Sequence, residues 1–171
     1  MKRIVTEGIT AGALGATAAA AWFLLYDAAQ GRPYFTPALL GAVLFHGLRD
    51  VSGVSISWPL VLGYSLFHWA AFVLFGIAAA ALLTGADRQP TLLFVFVMLV
   101  CCFEVFALAL VAILAEWLFE ALAWWSIVVA NGLALAVMLS FLGRRHRQAW
   151  QGLHAFGMAP GLLYLRPSMR K

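Results

Sequence analysis

The chain of 171 residues is 64% hydrophobic and only 11% charged, and its mean hydropathy is +0.94. A soluble domain carries about 25% charged residues, so this composition excludes an ordinary water-facing surface. The net charge of +4 comes mainly from basic residues near the two ends of the chain. Beside apolar spans, such residues indicate topology and contact with anionic lipid headgroups rather than nucleic-acid binding.

Four apolar stretches are long enough for a transmembrane helix, which needs about 20 residues. They cover residues 4–27, 58–83, 91–118 and 121–143. The first is longer than a signal-peptide core of about 7–15 residues, so it is interpreted as a retained span. No polar linker divides the chain, and we therefore expect one all-α membrane domain over 1–171, a bundle of four transmembrane helices.

The first connection between spans contains a further short helix, predicted over residues 37–48. Thr36 is a suitable N-cap and Pro37 a suitable first-turn residue. An apolar helix of this length cannot cross a bilayer, so it is predicted to be re-entrant or interfacial. Two roles stay open for it: a lid over the outer end of the bundle, or the wall of a cavity or partner surface.

Lysine and arginine counts predict the orientation. The amino terminus and the carboxyl tail, residues 144–171, are both basic, whereas the loop after the third span carries Glu116 and Glu120. The positive-inside rule then places both termini in the cytoplasm. The tail has the pattern of an amphipathic segment at the membrane surface, where His146 is expected to contact headgroups.

The first predicted span carries small residues at helical spacing, namely Gly8, Gly12, Gly15 and Ala16. Helices in lipid associate through close backbone packing, which small residues permit. We therefore expect this row to pack against a neighbouring helix. That neighbour is either the second span, through Gly76, or another chain.

Three polar side chains are predicted to share one layer within the membrane: His68, Glu104 and Asn131. Their depths follow from a rise of about 1.5 Å per helical residue. Because a carboxyl group in hydrocarbon needs a donor, Glu104 is expected to contact His68, Asn131 or both. The layer is either polar glue that fixes helix register or a proton or ion site. A third interpretation makes His46 and His68 ligands of a haem or a pigment.

Other polar groups are expected to be structural. Glu7 lies one helical turn from Arg3 and is predicted to pair with it. Glu7 and Asp27 lie near the ends of the first span, where their side chains are expected to reach water. Cys101 and Cys102 are adjacent within an apolar run, which is typical of small apolar fillers and excludes a CxxC motif.

The block from Trp22 to Gly41, WFLLYDAAQGRPYFTPALLG, resembles a stretch of small, functionally uncharacterised four-helix proteins of the bacterial inner membrane. The resemblance covers about twenty residues together with the hydropathy profile. It implies a location in that membrane and no particular activity.

We therefore expect a non-catalytic accessory or structural subunit of a larger bacterial inner-membrane complex, respiratory or photosynthetic. The alternative is a small homo-oligomeric transporter or channel that uses Glu104 and His68. Expected partners are membrane lipids and either other membrane-protein subunits or further copies of the chain. The sequence predicts no catalytic residue, metal site or cofactor, with haem or pigment ligation by His46 and His68 as the remaining option.

Overall fold

A computed structural model of the protein describes residues 2–48, 54–89, 91–114 and 124–146. This part of the chain is all-helical, which confirms the predicted fold class. Its five helices are α1 (Lys2–Ala29), α2 (Phe35–His46), α3 (Trp58–Ala86), α4 (Leu92–Leu114) and α5 (Trp124–Arg145). Three of them, α1, α3 and α5, are long and apolar enough to cross a membrane.

The observed helices begin and end close to the predicted boundaries. The α3 helix starts at Trp58, where Ser57 is extended and proline occupies the first turn, as helix starts favour. It continues to Ala86, three residues beyond the predicted end. The end of the predicted third span, the turn before the fourth and nearly all of the tail lie outside the described residues.

The α1 helix packs against α3 on one side and against α5 on the other. A methyl group at Gly12 would overlap the carbonyl oxygen of Phe72, and one at Gly76 would overlap that of Gly8. The backbones of α1 and α3 therefore touch, so the neighbour of these glycines is the chain's own second span. Gly15 instead faces the Met138 side chain of α5.

Ala16 is fully buried in the main hydrophobic core, with Phe72, Phe75, Ala80 and Met138. Small residues thus let α1 pack closely against two helices. Gly8 and Gly12 contact the backbone of α3, and Gly15 and Ala16 face the core that α3 and α5 share. Since these positions are occupied within the chain, the row offers no free surface to a second protein.

The α2 helix folds back onto α3, with Phe35, Leu39 and Val43 forming a second small core. It ends at Gly47, whose φ of 63° lets its N–H reach the carbonyl of Val43 while Leu48 bonds to Ala42. This is a glycine-terminated helix end. The stop at Gly47 explains why the helix ends at His46 rather than at the predicted 48.

The start of α2 corrects the predicted cap. Tyr34 occupies the N-cap position with a φ of 65°, and Thr36 lies inside the first turn. The Thr36 hydroxyl therefore does not cap its own helix. That role falls to Asp27 of α1, as described below.

The α4 helix attaches to the edge of the bundle through α3. The Phe103 ring lies 4.2 Å from that of Phe75 and 5.6 Å from that of Phe72. Cys101 and Cys102 are exposed, so the interpretation of both thiols as fillers within the core is wrong.

Candidate functional site

A cavity of about 170 Å³ lies between α1, α2 and α3. Its walls combine apolar and aromatic side chains with a few polar groups, and they are formed by Ala20, Phe23, Leu24, Tyr34, Thr36, Pro37, Val61, Tyr64, Ser65, His68 and Trp69. An apolar cavity of about 150 Å³ can hold one benzene ring. The space is therefore suited to a ring or a short chain segment.

His68 is a polar residue of this wall whose hydrogen-bonding capacity is not fully satisfied. Its ring lies 4.7 Å from the Phe72 ring and 6.0 Å from the Tyr64 ring. The Nε2 atom is buried and has no hydrogen-bond partner within the described residues. Ser65, one helical turn before it, is already engaged because its hydroxyl donates to the carbonyl of Val61 at 2.6 Å.

Glu104 and Asn131 are hydrogen-bonded, as the depth argument predicts for one of the two expected partners. Asn131 Nδ2 donates to Glu104 Oε2 at 3.0 Å and joins α5 to α4. The two residues border a void of only about 10 Å³, which Phe72 and Phe103 also line. A void this small holds no more than about one water molecule.

The expected layer of three polar groups is divided into two parts. His68 does not line the void beside Glu104, and Phe72 borders both His68 and that void. Among the described residues no hydrogen bond joins His68 to Glu104 or Asn131. An aromatic ring therefore stands where the proton-relay hypothesis needs a polar connection.

His46 and His68 are not brought together at one site. His46 is the last residue of α2 and is exposed, and it is absent from the wall of the cavity. The described part of the chain also holds no group of three His, Cys, Asp or Glu side chains that could bind a metal. The haem or pigment hypothesis requires two histidines at one site, and the cavity contains only His68 of the two.

Asp27 is 1% exposed, so the expectation that it reaches water is wrong. Its Oδ2 accepts the backbone N–H of Thr36 at 2.7 Å, and its Oδ1 accepts the Thr36 hydroxyl at 2.6 Å. The carboxylate satisfies a free N–H in the first turn of α2, where the helix dipole favours negative charge. We call this contact the Asp27 end of the bundle.

Glu7 is also buried, at 4% exposure, which corrects the same expectation at the other end of α1. Its Oε1 accepts Arg3 Nε at 2.9 Å, the pair that the sequence predicts, and Arg145 Nη1 at 3.5 Å. Its Oε2 lies 3.3 Å from His146 Nε2, while His146 Nδ1 lies 2.8 Å from Asp87 Oδ2. We call this cluster the Glu7 end.

His146 is buried within the Glu7 end, so the prediction that it contacts lipid headgroups is wrong. It connects the start of α1, the residue after α3 and the end of α5. The sequence held a usable signal for this contact. The four spans predicted from the sequence would bring these three helix ends to one side, where Glu7 and Asp87 are the acidic residues and His146 the neighbouring imidazole.

A third contact, also missed from the sequence, joins α1 to α5 near the Asp27 end. Trp22 Nε1 donates to Ser126 Oγ at 3.0 Å. The Trp125 ring packs edge-on against Trp22 at 6.3 Å and against Tyr26 at 5.6 Å. Aromatic residues at a span boundary indicate the depth of the membrane surface, but they do not indicate a helix partner.

Comparison of the chain with models of protein families, with curated proteins and with solved structures finds no match.

Proposed function

We propose that the protein is a non-catalytic accessory subunit of a larger bacterial inner-membrane complex. One observation carries the proposal: the carboxyl groups of Asp27, Glu7 and Glu104 are each engaged in contacts that join helices. An enzyme or transporter needs such groups to meet a substrate, whereas a structural subunit needs them to fix its helices. The exposed surface of the bundle is instead mainly apolar.

Within this proposal α4 is also a transmembrane span, the third in chain order, which brings the number of spans to four. Its 23 residues correspond to about 34 Å of helix, which exceeds the roughly 30 Å of a hydrocarbon core. Glu104 is its one charged residue, and Asn131 supplies that residue with a donor. With four spans both termini lie on one side, and the contact between Glu7 and His146 supports this arrangement because it joins the start of α1 to the end of α5.

The basic residues of the helix ends favour the cytoplasm for that side. They are Lys2, Arg3, Arg88, Arg144 and Arg145. On the opposite side the described chain begins α2 and α3, and the α2 helix packs on α3 as the proposed re-entrant or interfacial element.

The helix proposed to meet a partner is α4. In α4 the side chains of Phe94, Val105 and Phe106 are each more than 60% exposed, and among its described residues only Phe96 belongs to the buried core. Since α4 is attached mainly to α3, most of its circumference is available to other helices. Respiratory and photosynthetic assemblies are the proposed class of partner.

The alternative, a homo-oligomeric transporter that uses Glu104 and His68, has less support. The void at Glu104 is about 10 Å³, and Phe72 lies between it and His68. A transport path would need this ring to move. The cavity at His68 supports ligand binding but supplies no continuous polar route.

The test is cross-linking from native thiols in intact membranes, followed by gentle extraction and identification of co-purifying chains. Cys101 and Cys102 are exposed on α4 and are the only cysteines of the sequence. A lipid-soluble, thiol-reactive cross-linker should join them to a larger, unlike subunit. The control moves the thiol to α3 with Leu66→Cys in a Cys101→Ser, Cys102→Ser background, since Leu66 is 74% exposed on another helix.

Cross-links from α4 but not from Leu66→Cys would support docking through α4. A protein that is extracted alone, or that cross-links only to copies of itself, would contradict the accessory role and favour the transporter.

A further inference from the structure

Basic side chains gather at the Glu7 end. Lys2 and Arg3 lie in the first turn of α1, Arg88 follows α3, and Arg144 and Arg145 close α5; all five are exposed. The acidic residues beside them in the described chain are Glu7 and Asp87. The surface of this end is therefore strongly positive, and the first turn of α1 contains no acidic residue to offset it.

Two of these cations differ from the others because a buried carboxylate positions them. Arg3 Nε and Arg145 Nη1 converge on the same oxygen, Oε1 of Glu7, at 2.9 and 3.5 Å. Their side chains are nevertheless 76% and 52% exposed. Each guanidinium carries five N–H donors, so most donors of the pair stay available on the outer side of Glu7.

Arg145 is held by a second contact, since its guanidinium lies 5.3 Å from the centre of the Phe141 ring on the preceding turn of α5. The side chain thus lies along its helix at the level where the span ends. Phe141 is itself only partly buried, so it offers an apolar surface beside the charged pair. A molecule with a charged head and an apolar chain would match both surfaces.

From this geometry we propose that Arg3 and Arg145 form a binding site for the phosphate of an anionic phospholipid headgroup. Two guanidinium groups held side by side suit a phosphate, which accepts paired N–H bonds from a planar fork. The N-terminus of α1 adds a favourable dipole for an anion. A bound headgroup would bridge α1 and α5, and the site does not depend on the accessory role proposed above.

The test compares phosphatidylglycerol with phosphatidylcholine. The whole protein is prepared in mixed micelles of the two lipids, and native mass spectrometry measures which lipid stays bound. The wild type should retain phosphatidylglycerol in preference to phosphatidylcholine.

Three double variants separate a defined site from general attraction to negative charge. Arg3→Gln with Arg145→Gln should lower the retention of phosphatidylglycerol about tenfold or more, the loss expected when a hydrogen bond to a charged group is removed. Lys2→Gln with Arg144→Gln removes the same charge from the same helix ends and should lower it much less, because no buried carboxylate positions these exposed charges and salt screens them. Arg3→Lys with Arg145→Lys keeps the charge but loses the planar, paired N–H donors of the guanidinium groups. This variant should therefore still retain less phosphatidylglycerol than the wild type.

Equal losses in the two glutamine variants, or full retention in the lysine variant, would overturn the site in favour of diffuse electrostatics. The lysine variant also serves if the glutamine variant fails to fold. A competition experiment with inorganic phosphate completes the test. If phosphate alone displaces the lipid at millimolar concentration, the site binds free anions and the lipid assignment is wrong.

Discussion

The two ends of α1 each bury a carboxylate, and they satisfy it in different ways. Asp27 takes two uncharged donors, both from Thr36, which lies nine residues away in sequence. Glu7 takes charged or ionisable donors from three places, and its partner His146 lies 139 residues away. The first arrangement is local and stabilises one helix start, whereas the second joins three helix ends.

This difference affects how each end should respond to mutation and salt. The donors to Asp27 are buried, so its hydrogen bonds are shielded from ions in solution. Arg3 and Arg145 are largely exposed, so their attraction to Glu7 is screened and each pair contributes little. We therefore expect the Asp27 end to contribute more free energy, and the Glu7 end to depend more on salt.

The largest effect should come from the close backbone contact between α1 and α3. Gly12→Ala places a methyl group against the backbone of Phe72, where no side-chain rotation can relieve the overlap. Moving α1 away from α3 should cost about 3 kcal/mol, as severe overpacking does. Unfolding in detergent measures this loss.

The matched control is Gly132→Ala on α5, where an added methyl group meets nothing within 4 Å. There the change should raise stability by about 0.5–1 kcal/mol, because alanine is the better helix former. The free energy of unfolding must fall in Gly12→Ala and rise in Gly132→Ala. Similar small effects at both would show that α1 and α3 are not in backbone contact.

The next largest effect should come from Asp27→Asn. This change keeps the shape of the side chain but removes the charge and places an N–H₂ group against one of the Thr36 donors. The free energy of unfolding should fall by about 2 kcal/mol, the value for a hydrogen bond to a charged group. Thr36→Val, which removes only the hydroxyl bond, should cost about half as much.

High salt should leave the difference between wild type and Asp27→Asn unchanged, because the contact is buried. A cost that disappears in salt would contradict the proposed contrast between the two ends.

Glu7→Gln should have a smaller effect, about 1 kcal/mol at low salt, because its arginine partners are mostly exposed. The cost should shrink at high salt, where exposed charges are screened. Arg144→Gln on α5, beside Arg145, is the control, since Arg144 is exposed and belongs to no ion pair in the described residues. Repeating the unfolding measurement at both salt concentrations checks this prediction.

Patterns along the chain predicted much of the fold, because the rules for helices in a bilayer act on local sequence. Hydropathy predicted the position of α3 to within a few residues, and the pairing of Arg3 with Glu7 followed from helical spacing. The same reasoning placed Glu104 and Asn131 together, since depth along a helix can be counted from the sequence.

The choice between His68 and Asn131 as the partner of Glu104 depends on the rotation of one helix about its axis relative to another, which depth does not supply. His68 and Glu104 share a depth, yet Phe72 separates their surroundings. The burial of Asp27 also escaped prediction, because the sharp turn at Gly31 and Tyr34, both with positive φ, directs α2 back toward α1. A sequence indicates such a turn but not the side chain that it covers.

The smallest effect should come from Glu104→Gln, at a site far from both ends of α1. A glutamine keeps an oxygen that can accept the Asn131 amide N–H, so the helix contact survives the change. Stability should fall by less than about 0.6 kcal/mol, the average for such bonds in membranes. Asn131→Leu removes the donor altogether and should cost more, because it leaves the carboxyl group of Glu104 without its partner.

If Glu104 instead carried a proton or an ion through the membrane, Glu104→Gln would abolish transport in proteoliposomes while the protein stayed folded. That result would assign a function to the middle of the bundle, which the helix contacts otherwise explain as structural.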